Sequence, residues 1–296
     1  MALNLEKAFR DTARDVKYAL DRMLIAVEGP ESRLFDSMRY ATLNGGKRFR
    51  PFLVCQSAAL FSVDTARALR VAAAVELVHC YSLVHDDLPA MDDDDLRRGL
   101  PTVHKKFDDA TAILAGDALL TLAFEVLADR RTHENPEVRS ALVSALAKAA
   151  GGRGMVGGQM LDLAAETMEL DMGGITRLQR LKTGAMIAFS CEAGAILGRA
   201  SAEPRDALRR YAHDLGLSFQ IADDLLDVEG TMEETGKAVG KDARAGKATF
   251  VSIMGVERAR AQAHLLAQQA VEHLAVFDGS ADLLRAAAPF VVERRQ

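Results

Sequence analysis

Apolar residues recur at three- and four-residue spacing along most of the chain, the pattern of helices that bury one face. The spacing predicts helices over 4–27, 31–43, 51–61, 64–88, 109–129, 136–150, 154–168, 174–199, 204–229, 248–276 and 280–293. Glycine pairs and isolated prolines separate them: Gly45-Gly46, Pro51, Pro89, Gly151-Gly152, Gly157-Gly158, Gly173-Gly174 and Pro204. No stretch alternates apolar and polar residues long enough to make a strand. No linker, low-complexity tract or clear repeat interrupts the pattern. The expected fold is therefore all-α, a single-domain helical bundle over residues 1–296 with functional side chains projecting inward from facing helices.

Composition supports helices packed on small residues. Aromatic residues make up 5% and Trp is absent, while the chain is 49% hydrophobic and 27% charged, the balance of a globular protein. A net charge of −5 argues against a broad surface for nucleic acid or anionic membrane. Cys55, Cys80 and Cys191 each fall in an apolar helical pattern and read as buried thiols, with no CxxC pair to hold a structural zinc. Met1 to Leu20 mixes acids and bases without the apolar core of a signal peptide. The best candidate membrane span, Ala110 to Ala128, is interrupted by Asp117 and Glu125, so a soluble cytoplasmic protein is expected.

Two acidic clusters change the picture. Along 219–227 the sequence reads Phe-Gln-Ile-Ala-Asp-Asp-Leu-Leu-Asp. On a helix, Gln220, Asp223, Asp224 and Asp227 share a stripe roughly 100° wide, with Asp223 and Asp227 one turn apart. Like charges so placed repel, and the apolar flanks Leu215, Leu217, Ile221, Leu225 and Leu226 worsen this by limiting solvation. A solvated acidic face is the bland alternative, which those flanks oppose. A hard divalent cation such as Mg²⁺, completed by substrate phosphates, would offset the repulsion.

The other cluster is His85-Asp-Asp-Leu-Pro-Ala-Met-Asp-Asp-Asp-Asp-Leu-Arg-Arg-Gly99. Pro89 stops the helix, leaving Asp86 and Asp87 at its C-terminal end and Asp92 on a loop that can fold back. Carboxylates oppose the negative end of the helix dipole and call for a cation. The spacing is not that of an EF-hand.

Basic residues lie beside the acids. Gly45-Gly46-Lys47-Arg48-Phe49-Arg50-Pro51 reads as a turn opening a helix with Pro51 at its first position, with amides, Lys47 and Arg50 converging on an anion. It is not a P-loop, and the GxGxxG match from Gly152 to Gly157 follows an Ala-rich helix rather than a strand, which excludes a dinucleotide site. Arg97 and Arg98 follow the first cluster. Lys237, Lys241 and Lys247 lie in a Gly-punctuated stretch after the second, of a kind that closes over phosphates. His79 is seven residues before Asp86 on the same helix face, about 10 Å below it.

In order along the chain these segments resemble the trans-prenyl diphosphate synthases, and within that family its bacterial farnesyl-forming branch. The resemblance rests on Leu-Asn-Gly-Gly-Lys-Arg-Phe-Arg-Pro, the first acidic segment, Leu-Ala-Gly-Asp-Ala-Leu-Leu, Gly-Gly-Gln-Met-Leu-Asp-Leu, Lys-Thr-Gly-Ala and the second acidic segment, and spans Gly45 to Thr249. It implies an isoprenoid synthase bundle with a central active-site cavity. The implied reaction joins isopentenyl diphosphate head to tail to dimethylallyl and then geranyl diphosphate, giving (E,E)-farnesyl diphosphate, with Mg²⁺, three ions, bound alongside the allylic diphosphate. By position, Asp86, Asp92 and Asp223 match the metal ligands, supported by Asp87 and Asp227. Gly46, Lys47, Arg50, His79 and Arg98 match the isopentenyl site. Arg97, Lys182, Lys237 and Lys247 match clamps on the allylic diphosphate, while Lys182, Thr183 and Gln220 match the groups that stabilise the cation. Tyr81, with Ser82 beside it, stands five residues before Asp86, about 7–8 Å deeper, where a bulky side chain would floor the chain-elongation pocket. A homodimer is also implied.

The rival readings are a geranyl or geranylgeranyl diphosphate synthase, a class I terpene cyclase and a non-catalytic helical subunit. A cyclase has no need of Gly45 to Arg50 or of Arg97-Arg98, and inactive relatives usually lose an acidic motif.

Overall fold

The computed structural model describes residues 4–165, 167–168, 170–229 and 249–293. In chain order these form α1 (Leu5–Met23), α2 (Ser32–Leu43), α3 (Phe49–Ala59), α4 (Thr65–Asp86), β1 (Leu96–Arg97), β2 (Leu100–Pro101), α5 (Val103–Lys106), α6 (Asp109–Ala128), α7 (Pro136–Ala150), α8 (Met155–Ala164) and α9 (Met172–Gln179), then a π-turn (Arg180–Gly184), α10 (Ala185–Leu197), α11 (Ala202–Glu229), α12 (Phe250–Met254), α13 (Val256–His273) and α14 (Asp282–Glu293). The protein is all-α, as its apolar periodicity predicts. Contacts divide it into an N-terminal unit, residues 6–55 and 63–143, and a C-terminal unit, residues 1–5, 56–62 and 144–296.

In the N-terminal unit α4 is the core element. The Asp64 carboxylate caps it, accepting the amides of Ala66 and Arg67 at 2.9 and 3.2 Å. Its middle, Val71 to Val78, is buried all round, which explains why it is not amphipathic. It packs on α6 and α2. Among its buried residues α6 has Ala112, Ala115, Gly116 and Ala123, small enough to let helix axes approach closely. By length and composition α6 is the one described helix able to cross a membrane, yet it lies against α4, α2 and α5. Phe9 of α1 stacks on Phe52 of α3 at 4.2 Å between centroids.

In the C-terminal unit α11 runs for 28 residues and packs on α10, α13 and α14. Its Ile221 and Leu225 enter a cluster with Ile175, Phe250, Val251, Ala259 and Ala263; of the acids on the same turns, Asp224 is buried against this cluster while Asp223 and Asp227 are half-buried. Tyr211 donates its hydroxyl to the Leu284 carbonyl at 2.8 Å and Ser218 to that of Ala263 at 3.0 Å, satisfying buried polar groups where α11 meets α14 and α13.

Four local features depart from the periodicity. The helix expected over 248–276 breaks at Gly255, whose φ of +77° suits glycine, and α12 opens with a Thr249/Ser252 capping box. The helix expected over 174–199 contains the π-turn. A two-residue ladder, Leu96 against Pro101 and Arg97 against Leu100, closes through Arg98 and Gly99, both with positive φ as a tight hairpin turn requires. Finally, α3 begins at Phe49, so Pro51 sits at its third position; it lacks only an amide that the first turn leaves unbonded in any case.

Candidate active site

The loop between α2 and α3 is shaped by two arginines. Gly45 and Gly46 take φ of +79° and +112°, open to glycine and strained for other residues. A side chain at Gly46 would also stand 2.9 Å from the Arg98 guanidinium, which donates to the Gly45 carbonyl at 2.7 Å. Arg48, also at positive φ, turns inward to pair with Glu76 of α4 and to donate to the Thr42 carbonyl. Lys47 between them is exposed and Arg50 half-buried. His79 of α4 is held well below the ordinary histidine pKa by burial and then by Arg50, Arg98, Arg48 and Arg97. A neutral imidazole beside Arg50 and Arg98, with Arg48 and Arg97 already tied to Glu76 and Asp87, is an arrangement ready for a polyanion. Of the residues matched to the isopentenyl site, Gly46, Arg50, His79 and Arg98 are thus brought together.

The first acidic cluster hangs from the end of α4. Asp87 caps the helix, and the chain reverses so that the Asp92 amide donates to the Asp86 carbonyl at 2.9 Å. Both Asp87 oxygens are engaged by Arg97, whose Nε lies 2.8 and 2.9 Å from them, and the carboxylate is 3% exposed. Burial opposes the charge on Arg97, but hydrogen bonding and attraction to Asp87 more than offset it and raise its pKa. The β1–β2 turn therefore sends Arg97 to Asp87 and Arg98 to the glycine loop. Asp93, Asp95 and His104 are the one described group of three whose ligand atoms lie within 4.8 Å of one another, and Asp95 also pairs with Lys105 at 2.8 Å. The carboxylate oxygens here fit a hard cation such as Mg²⁺.

Tyr81 is buried, and burial followed by the Asp86 charge pushes its hydroxyl up to about 12. Its ring meets His85 edge to face at 5.7 Å, and Ser82 donates to the His79 carbonyl at 2.9 Å.

In the C-terminal unit Asp223 and Asp227 are half-buried, while Asp224 is 3% exposed and fully used. It accepts from Gln220 Nε2 at 3.0 Å and from the Phe250 amide at 3.0 Å. Gln220 Oε1 in turn accepts the Thr183 hydroxyl at 3.2 Å. Thr183 and Lys182 lie on the π-turn, a device frequent at functional sites because it re-aims side chains. Lys182 donates to Asp162 of α8 at 2.7 Å, and α8 runs so close to this turn that a Cβ at Gly158 would overlap the Lys182 backbone. Lys237 and Lys247 lie outside the described residues.

Arg48, Asp162 and Asp224 lie inside the motifs but their supporting contacts are not read from them, and Glu76 lies outside every motif. The signal for Glu76 is a lone charge in an apolar run, between Ala72 and Val78, which a helix can bury only with a partner.

The Polyprenyl synthetase model matches residues 31–276. The farnesyl diphosphate synthase of Escherichia coli is 43% identical over 291 residues, 96% of each chain. The crystal structure of an FPP/GFPP synthase from Zymomonas mobilis superposes with a TM-score of 0.91 at 52% identity, covering 99% of this chain and 100% of that one. Geranylgeranyl pyrophosphate synthase 11 of Arabidopsis thaliana is 45% identical over 82% of this chain and 69% of its own. On these matches, the chain belongs to the polyprenyl synthetase family.

Proposed function

We propose that the chain is a prenyltransferase that condenses isopentenyl diphosphate with dimethylallyl and then geranyl diphosphate to give (E,E)-farnesyl diphosphate. The observation that carries this reading is the basic cluster beside His79, where Arg98 grips the Gly45–Gly46 loop, built on the same helix that ends in Asp86. A terpene cyclase would have no use for it.

In this reading Lys47, Arg50 and Arg98 hold the diphosphate of isopentenyl diphosphate. His79 stays neutral there and donates or accepts a hydrogen bond without adding charge. Arg97, anchored by Asp87, and Lys182, anchored by Asp162, are assigned to the allylic diphosphate. Bound Mg²⁺, three ions held by Asp86, Asp92, Asp223 and Asp227 with Asp87 in support, would neutralise the charge that gathers on the departing diphosphate. The Thr183 hydroxyl and Gln220 carbonyl oxygen, fixed to one another and to Asp224, turn negative dipole density towards the allylic cation. Condensation bonds the isopentenyl C4 to the allylic C1, and a proton leaves C2 for the released diphosphate. Tyr81 limits growth at fifteen carbons; a geranyl or geranylgeranyl product is the alternative.

The proposal includes a homodimer acting in the cytoplasm. Ile113 and Leu114 on α6 are 45% and 57% exposed, an apolar face suited to a second copy. Purified protein supplied with Mg²⁺, radiolabelled isopentenyl diphosphate and either dimethylallyl or geranyl diphosphate should yield farnesyl diphosphate from both primers. No consumption of isopentenyl diphosphate would overturn the reading, and light scattering tests the dimer.

A further inference from the structure

We infer that Glu76 is a positioning residue for the second substrate: through Arg48 it sets the loop that presents Lys47 and Arg50 to the diphosphate of isopentenyl diphosphate. The inference rests on the function proposed above. Glu76 and Arg48 are 2% and 4% exposed, and neither belongs to the anion pocket itself. Glu76 lies in a part of α4 where Val75, Leu77 and Val78 have no exposure. Burying a pair of charges rarely stabilises a fold beyond what apolar residues of similar volume achieve, so an ion pair kept in such a place is there for something other than stability. Arg48 adds a second cost, since its φ of +50° is a left-handed conformation that a residue with a Cβ rarely adopts.

Both costs fall between Lys47 and Arg50, and the geometry shows what they achieve. One Arg48 amino group meets Glu76 and the other meets the Thr42 carbonyl in the last turn of α2, so a single guanidinium ties α2, the loop and α4 together. Glu76 lies one turn before His79, and Cys80 Sγ is 3.9 Å from its Oε1. From outside, Arg98 holds the Gly45 and Asn44 carbonyls at 2.7 and 3.4 Å. The loop is thus gripped on both sides, and Lys47 and Arg50 project from a backbone with little freedom to drift. The groups assigned to bond making, Lys182, Thr183 and Gln220, belong to the other unit and do not depend on this grip.

Two variants test the inference. Glu76→Gln keeps the Arg48 charge and removes the negative charge opposite it. The double variant Arg48→Met, Glu76→Leu removes one charge of each sign, so the net field on the pocket barely changes, and it leaves no buried charge unpaired. The double variant should melt at or above the wild-type temperature. Both variants should raise KM for isopentenyl diphosphate about tenfold or more, with kcat and the KM for geranyl diphosphate within about twofold. Calorimetry with inorganic diphosphate, which needs no turnover, should show the same loss of affinity. Wild-type KM in the stable double variant, or equal losses in kcat and in both KM values, would overturn the inference. If wild-type protein condenses no prenyl diphosphate, the proposed function fails alone, and unchanged binding of inorganic diphosphate by the variants decides against the pair.

Discussion

Gly116 on α6 lies directly against His85 on α4: a Cβ at Gly116 would run into the imidazole, whose Nε2 sits 3.0 Å from the Ile113 carbonyl oxygen. His85 immediately precedes Asp86, and its ring also meets Tyr81. Helix packing, the acidic end of α4 and the Tyr81 ring therefore share one glycine.

Gly116→Ala should push the imidazole off its carbonyl partner and shift the turn that carries Asp86. Overpacking of this kind costs about 1–3 kcal/mol, and displacement of Asp86, proposed above as a metal ligand, should lower turnover by about tenfold or more. Half-saturation by Mg²⁺ should rise in parallel. Thermal melts and a Mg²⁺ titration of activity check both effects; wild-type values in each would show that His85 rotates away without moving Asp86.

Tyr81→Ala should lengthen the product. The ring is 6% exposed and leans on His85, so its removal opens space below Asp86 at a stability cost of about 3 kcal/mol. Chromatography of dephosphorylated products should show twenty-carbon chains replacing fifteen. Tyr81→Met should do the same at lower cost, and an unchanged profile from both variants would leave Tyr81 with core packing as its only role.

The repeat of apolar positions and the two acidic motifs carried the helices, the cap at Asp86–Asp87 and the reversal that brings Asp92 back to Asp86. These are local consequences of periodicity and of Pro89. What escaped depends on contacts between distant segments. Periodicity cannot separate a π-turn from an α-helix, because one extra residue at Lys182–Thr183 barely disturbs the apolar pattern. The hairpin at Arg98–Gly99 is too short to alternate. Arg48 reads as one more basic residue beside Lys47 and Arg50, and only the carboxylate of Glu76, 28 positions away, shows that it points inward. Asp224 shares a helical stripe with Asp223 and Asp227, but its oxygens are committed to Gln220 and Phe250.

That commitment makes Asp224 separable from its neighbours. In Asp224→Asn the new amide group must face one of two donors, Gln220 Nε2 or the Phe250 N–H, and a buried donor goes unmet. The expected cost is about 1–3 kcal/mol. With Gln220 no longer fixed against Thr183, kcat should fall. Half-saturation by Mg²⁺ should stay near wild type, in contrast to Asp223→Asn, where it should rise. Equal Mg²⁺ defects in the two variants would place Asp224 with the metal ligands.

His79 makes stability depend on pH with a defined sign. Burial and then Arg50, Arg98, Arg48 and Arg97 hold its native pKa well below the ordinary value of 6.5, so the unfolded chain takes up the proton first. This contribution is fully present above about pH 6.5 and is lost as pH falls from there towards the native pKa, with a slope of up to ~1.4 kcal/mol per pH unit. Urea unfolding of wild type between about pH 7.5 and 5.5 should therefore show a steeper loss than His79→Asn, which lacks the group. Saturating inorganic diphosphate should flatten the wild-type slope, because the bound anion offsets the four guanidiniums and lifts the native pKa of His79. Identical slopes in the two proteins would mean that His79 is protonated alike in the folded and unfolded chains, and the pocket would then lack the neutral imidazole on which its reading as a diphosphate site depends.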